Sequence, residues 1–257
     1  MNHRYFVLLS FQGTHYSGWQ IQENAICVQE KLNQALTVIS GHEVATTGCG
    51  RTDAGVHARM FYAHFDLSEP IADPGRMLYQ LNAILPDDIA IHEIIDVPEN
   101  AHARFDATSR TYEYFICRNK NPFLRDYAFH GFRNPDLNLM QKACDIIKSH
   151  TDFSSFSKSN TQVKTNNCKI THAHWEYRNE MLVFTITADR FLRGMVRAIV
   201  GTLLDVGTAK MPPEALEAIL LAKNRSQAGT SAPAAGLYLT RITYPYLKEP
   251  TGFQFPG

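Results

Sequence analysis

The chemistry-bearing side chains are densest in one short run, Gly48-Cys49-Gly50-Arg51-Thr52-Asp53-Ala54-Gly55-Val56-His57-Ala58. Two glycines lead in, which lets the backbone bend tightly and another group come close. Arg51 and Asp53 stand two apart, so an extended segment puts both on one face. Gly55 permits a positive-φ turn just after the carboxylate. An apolar alternating run follows, so the chain re-enters a strand. The spacing therefore predicts an acid on a tight loop between strands, with a cation beside it. Two roles are open to Asp53 on these residues alone. It can bond its own backbone in an ordinary turn, or its carboxylate can act as a nucleophile or charge stabiliser.

Three other places carry candidates. In Arg110-Thr111-Tyr112-Glu113-Tyr114 both tyrosines share one strand face, with Arg110 on the same side. They can pack a core, or one can stack on a nucleobase. In Phe191–Gly207 the residues Leu192, Met195, Val196, Ile199, Val200, Leu203 and Leu204 form an apolar helical stripe. Arg193 and Arg197 lie one turn apart beside it, and Arg190 near its start. Cations are disfavoured at a helix start by the dipole, so these arginines need partners: structural acids, Asp53, or phosphates. Gly194, Ala198 and Gly201 make a small-residue strip where another backbone can come close. In Gly229–Leu239 a small-residue loop enters a strand at Leu237, which suits a core position equally well.

Arg51 to Ala58 reads R-T-D-A-G-V-H-A and resembles, without a departure, the signature of the TruA family, the tRNA pseudouridine synthases of the anticodon stem-loop. Arg110-Thr111-Tyr112, Phe191–Gly201 and Ala232–Leu239 are similar to three further elements of that family, in the same order. The resemblance implies that Asp53 is the catalytic carboxylate and that Arg197 pairs with it. It implies that Tyr112 stacks on the target uracil and takes part in proton transfer, and that Leu237 shapes the uracil pocket. Arg193 stands where the family pattern varies, and no role is carried over to it. The resemblance further implies tRNA as substrate, modified at about positions 38, 39 and 40, and a homodimer in which one tRNA spans both subunits.

The elements that must position these residues follow from periodicity. Tyr5–Phe11 is a dense apolar strand. The polar loop Gln12–Gln20, with two glycines and two aromatics, is either a connector or a surface that touches RNA. A helix over 26–40 ends at Gly41, a strand covers Glu43–Thr47, and another Arg59–Asp66. A helix opened by Asp73-Pro74 and a strand over Ile89–Val97 follow. This is a strand-helix-strand-strand-helix-strand order, the ferredoxin-like arrangement. From about residue 101 the pattern restarts: a strand from Thr111, a long loop from Asn119 to Phe132, and a helix over Leu137–Ser149. Then come a polar, mobile segment Thr151–Thr165, two strands turned at Asn179-Glu180, two helices and a last strand, Gly236–Tyr244. The expected fold is α+β: two ferredoxin-like units, 1–104 and 105–257, joined into one extended, mainly antiparallel sheet with a central cleft.

Composition bounds the rest. The 257 residues are 44% hydrophobic and 19% charged, the make-up of an ordinary globular protein. No apolar run has the length of a membrane span, and Met1–Arg4 lacks a signal-peptide layout, so the expected location is the cytoplasm. The five cysteines are scattered without a C-x-x-C pair, so reduced, mostly buried thiols are expected rather than zinc ligands or disulfides. The formal net charge is zero, so RNA binding has to come from local basic surface. Arg51, Arg59, Arg104, Arg110, Arg125, Arg190, Arg193 and Arg197 are the candidates to hold phosphates.

Uridine isomerisation neither oxidises nor hydrolyses its substrate, so no metal or organic cofactor is expected. Two rivals differ in what they require. A non-catalytic RNA-binding protein of paired ferredoxin-like units needs no acid in this loop. A hydrolase needs a second acid or a metal to activate water, and His57, His64, His102, His172 and His174 show no ligand spacing. His172 and His174 alternate on a strand and are expected at the surface.

Overall fold

The computed structural model describes residues 3–131, 134–158 and 165–248. The chain divides into two compact units, one formed by residues 1–108 and 239–257 and the other by 109–238. Both are mixed α+β and mainly antiparallel.

In the first unit β1 (His3–Phe11) leads to α1 (Val28–Ser40), β2 (Thr47–Gly48), β3 (His57–Leu67), α2 (Pro74–Ile84) and β4 (Ile89–Asp96). The predicted element order is thus present. β1 pairs antiparallel with both β3 and β4, which buries Phe6, Val7, Leu8 and Leu9 to 1% exposure or less and explains their unbroken apolar run. Gly41 ends α1 in the left-handed region at φ 75°, its N–H donating to Thr37 O. Asp73 caps α2 through the Arg76 N–H, with Pro74 at the first helical position.

The strand predicted over Glu43–Thr47 shrinks to β2, two residues paired with His64 and Ala63. Most of that stretch is bonded to α1 instead. Thr37 Oγ1 accepts the Val44 N–H and Asn33 Oδ1 the Thr46 N–H, while Gln29 Nε2 donates to Thr46 O. Side chains of the helix occupy the groups a neighbouring strand would need.

The second unit keeps the order of element types with β6 and α5 added: β5 (Ser109–Cys117), a two-residue β6 (Phe129–His130), α3 (Leu137–Lys148), β7 (Ile170–Arg178), β8 (Met181–Ala188), α4 (Met195–Gly207) and α5 (Ala215–Ala222). β9 (Leu237–Thr243) is the last element among the described residues, and the boundary between the two units falls within it, at residue 239. β8 runs antiparallel between β5 and β7. Asp136 caps α3, its carboxylate accepting the N–H groups of Asn138 and Leu139.

Two expectations change here. The predicted helix from Phe191 begins only at Met195, because Gly194 sits at φ 71° and turns the chain into it. The Thr151–Thr165 segment is not uniformly loose. Phe153, Ser155 and Phe156 are buried, and Ser155 Oγ donates to Ile219 O; two phenylalanines among the serines draw the backbone inward. Its stretch 159–164 lies outside the described residues, as does Phe132 at the end of the long loop. All five cysteines are buried, and His172 and His174 are exposed on β7, as expected.

Two histidines make the first unit acid-sensitive. Burial pushes the His64 imidazole down to about 4, helped by Arg4, and burial pushes His92 down to about 4 as well. His64 Nδ1 accepts the Ala103 N–H at 3.1 Å, and His92 Nε2 bonds Ser10 Oγ at 2.7 Å. A folded-state value below the ordinary 6.5 gives stability that is complete above pH 6.5 and is lost as the pH falls towards 4. Each group carries on the order of 2–3 kcal/mol after solvent screening. Denaturant unfolding at pH 7 and pH 4.5 should show this loss, and a His92→Gln variant should lose correspondingly less between the two.

Candidate active site

Asp53 lies on the loop between β2 and β3, and a second loop of the same unit, residues 12–20, is laid against it. Trp19 N–H donates to Thr52 Oγ1 at 3.0 Å. Gly55 N–H donates to Tyr16 O at 3.2 Å, and Val56 N–H to Asp53 O at 3.1 Å. Gly13 N–H donates to Nδ1 of His57, which is 1% exposed. That bond requires an unprotonated Nδ1. Two glycines permit this proximity. A Cβ on Gly18 would stand 2.2 Å from Thr52 O, and Gly18 itself has φ 95°; a Cβ on Gly13 would stand 2.0 Å from Val56 O.

The 12–20 loop is therefore scaffold. Tyr16 and Trp19 are 6% and 2% exposed. Trp19 stacks on Phe61 at 4.2 Å between centroids, and the Tyr16 hydroxyl donates to Asp88 Oδ1 at 2.5 Å. Burial first, and that bond second, raise the Tyr16 phenol well above its ordinary value. Tyr16 and Trp19 are turned inward and support the Asp53 loop, while His15 and Gln20 of the same loop are exposed. Of the two glycines leading into the Asp53 loop, only Gly48 needs to be one. A Cβ there would meet the Trp19 indole at 2.5 Å, whereas Gly50 faces open space.

The turn at Gly55 takes φ 77°, as its position after the carboxylate predicts. Arg51 is exposed, and Thr52, Asp53 and Arg59 are half-buried. Asp53 is thus offered at the surface of a loop whose backbone is fixed from behind. Thr52, His57, Gly13 and Gly18 were not singled out by residue type. The signal for them is a polar loop that holds two glycines and two aromatics.

In the second unit the residues 229–236 lie along α4 like a strap. Gly201 admits it: a Cβ there would stand 1.8 Å from Thr230 O, so of the predicted small-residue strip Gly201 receives the other backbone, while Gly194 lies before the helix as its cap. Thr202 Oγ1 accepts the Gly229 N–H at 2.9 Å. Arg225 holds the strap from outside through Ala228 O, Gly229 O and Ser231 Oγ. Arg197 is joined to it twice. Its Nε donates to Ala232 O at 2.7 Å, and its own carbonyl accepts the Ala232 N–H at 2.9 Å. The strap therefore sets the direction of the guanidinium. A Gly201→Ala substitution should push the strap off the helix, lower stability by about 1–3 kcal/mol, and release Arg197; thermal melts and turnover measure the two effects.

Arg193 precedes α4, is exposed, and accepts the Lys158 N–H on its carbonyl. The two β5 tyrosines part company. Tyr114 is fully buried and donates to Pro233 O at 2.8 Å, and burial raises its phenol; it is core. Tyr112 is half-buried and meets Phe191 edge-on, centroids 5.1 Å apart at 89°. Leu237, at the start of β9, is 5% exposed. Arg110 donates to Asp189 O and Arg190 to Thr165 O, both backbone partners. Arg104 and Arg125 are exposed. Among the described residues no group of three or more His, Cys, Asp or Glu could hold a metal ion, and no helix is long and apolar enough to cross a membrane.

A family model described as tRNA pseudouridine synthase matches residues 8–106 and 149–245, which include Asp53 and its scaffold loop, Arg197 and Leu237. A protein named tRNA pseudouridine synthase A from Parabacteroides distasonis is 48% identical over 94% of this chain and 96% of its own length. One of the same name from Bacteroides fragilis is 48% identical with the same coverage. A third, from Caldicellulosiruptor bescii, is 37% identical over 92% of this chain and 97% of its own. A loop acid fixed by a dedicated scaffold, and a match running through both units, agree with one another: the chain belongs to the tRNA pseudouridine synthase family.

Proposed function

We propose that this tRNA pseudouridine synthase isomerises uridines of the anticodon stem-loop, at about positions 38, 39 and 40, with Asp53 as nucleophile. In the reaction the N1–C1′ bond breaks and a C5–C1′ bond forms. N1 gains a proton and C5 gives one to solvent. An ionised carboxylate supplies the nucleophile at the sugar or at the base. Arg197 pairs with it and orients it. Tyr112 stacks on the detached uracil and serves in proton transfer, while Leu237 contributes an apolar wall that keeps water from the reacting centre. Arg51, Arg59 and Arg193 hold the RNA backbone. No electron leaves the substrate, so the chemistry calls for no metal or organic cofactor. The enzyme works in the cytoplasm as a homodimer on tRNA.

The observation that supports this most is the Asp53 loop. A turn that merely reverses the chain needs no second loop inserted behind it at van der Waals contact through two glycines. A loop that has to hold a carboxylate in one place does. The test is tritium release from tRNA carrying C5-tritiated uridine, without added metal or cofactor, followed by mapping of the modified positions. Release with pseudouridine at 38, 39 or 40 is the expected result. Release mapped to another region of the tRNA would overturn the proposed target, and no release from a protein that binds the tRNA would overturn the proposed activity.

A further inference from the structure

The long loop after β5 carries a feature that uridine isomerisation leaves unused. Phe123 is 86% exposed, the most of any large apolar side chain among the described residues. A lone exposed apolar residue is ordinary; one whose backbone is fastened so that it must point outward is not. Asn121 Oδ1 accepts the Phe123 N–H at 3.0 Å, Pro122 sets the turn, and Asn121 O accepts the Leu124 N–H at 3.1 Å. Leu124, next in the chain, points the other way and packs on Phe115, Cys117, Ala128, Val183 and Tyr238. Leu124 O accepts the N–H groups of Tyr127 and Ala128, and the Tyr238 hydroxyl donates to Tyr127 O at 2.8 Å. Both ends of the turn are anchored in the unit, and the Phe123 ring projects from it, with Tyr127 44% exposed in the same turn.

Its neighbours are cations. Arg118, Lys120 and Arg125 are all exposed, against one acid in the segment, the half-buried Asp126, and one at the adjacent hairpin tip, Glu180. An exposed aromatic face in a segment with three exposed cations, in a chain of zero net charge, fits a single-stranded nucleic acid, whose bases stack and whose phosphates need countercharge. A purely apolar partner would leave the three cations unused. We propose that the turn over residues 118–127 is a second RNA contact, in which an unpaired base of the tRNA stacks on Phe123 while Arg118, Lys120 and Arg125 hold flanking phosphates. This contact is distinct from the residues that handle the reacting uracil, and it rests on the reading of tRNA as the substrate.

The test uses the full chain and unmodified tRNA. The protein has two tryptophans, Trp19 and Trp175, 2% and 3% exposed, so the fluorescence of an F123W variant reports on position 123 against a buried background. Saturating tRNA should quench it. F123A should weaken tRNA binding roughly tenfold, raise KM and leave kcat at saturation unchanged, while F123W restores affinity. Replacing Arg118, Lys120 and Arg125 with Gln should lower the slope of log affinity against log salt by about 2. F123A with wild-type affinity and KM, or an F123W signal that tRNA does not move, would overturn the contact. So would a change in sedimentation of F123A without RNA, which would assign the ring to contact between copies. Tritium release by the wild type on the same tRNA separates the two readings: its absence strikes the proposed activity, while the quench still judges the contact.

Discussion

An Asp53→Asn enzyme should bind tRNA, melt like the wild type and release no tritium. The expected fall in turnover is on the order of 10⁴-fold or more, the scale on which loss of a nucleophile acts. Asn keeps the shape and removes the charge. The bonds that hold the loop use the Asp53 carbonyl, the Gly55 N–H and the Thr52 hydroxyl, so they survive the change. This separates the enzyme from a non-catalytic RNA-binding protein, whose task would be untouched. Turnover within about tenfold of wild type would remove Asp53 from the nucleophile's role.

Gly18→Ala should be strongly damaging although it alters none of the proposed site side chains. The added methyl would stand 2.2 Å from Thr52 O and 3.2 Å from Asp53 C, on a residue with φ 95°. Ordinary contact needs more than 3.4 Å, and the obstacle is backbone, which cannot rotate aside. The Asp53 loop must therefore move by about 1 Å, a displacement that costs roughly 100-fold in rate when a reacting group is misplaced. Strain at the positive φ adds about 1 kcal/mol or more to the loss of stability. Gly50→Ala, next to the loop's own cation Arg51, is the control: its Cβ would meet nothing within 4 Å, so the melting temperature should hardly change. Steady-state rates and thermal melts on the two variants give the comparison. Equal rates for Gly18→Ala and wild type would mean that the loop is not positioned from behind.

What could be read from residues alone divides along a physical line. The caps at Gly41 and Asp73-Pro74, the turn at Gly55 and the buried run Phe6–Leu9 were legible, because each is decided by local dihedral preference or by burial of a short strand. Glu43–Thr46 was misread as strand because alternation cannot reveal that Gln29, Asn33 and Thr37 of a neighbouring helix satisfy its backbone. The start of α4 was misplaced because a glycine inside an apolar stripe reads equally as helix interior or as a left-handed cap, and only φ distinguishes them. Asp53 stood out by its motif, but its support did not. The residues behind it are a polar-looking loop far earlier in the chain, and their burial is a tertiary fact. Tyr112 and Tyr114 look alike in sequence, yet one is half-buried and the other sealed beneath Pro233.

The bracing of the Asp53 loop has a consequence for what moves during a turnover. The loop is tied through Tyr16, Trp19 and His57 to the core, which opposes its swinging over a bound nucleotide. With Asp53 as the proposed nucleophile, the acid would wait in place and the nucleotide would travel to it. Extruding a base from its stack costs a few kcal/mol, and on that reading this cost should fall on the nucleic acid rather than on the protein. Turnover should then track how firmly the target uridine is stacked in the free tRNA, with uridines near the frayed end of a stem reacting ahead of those held deeper in it.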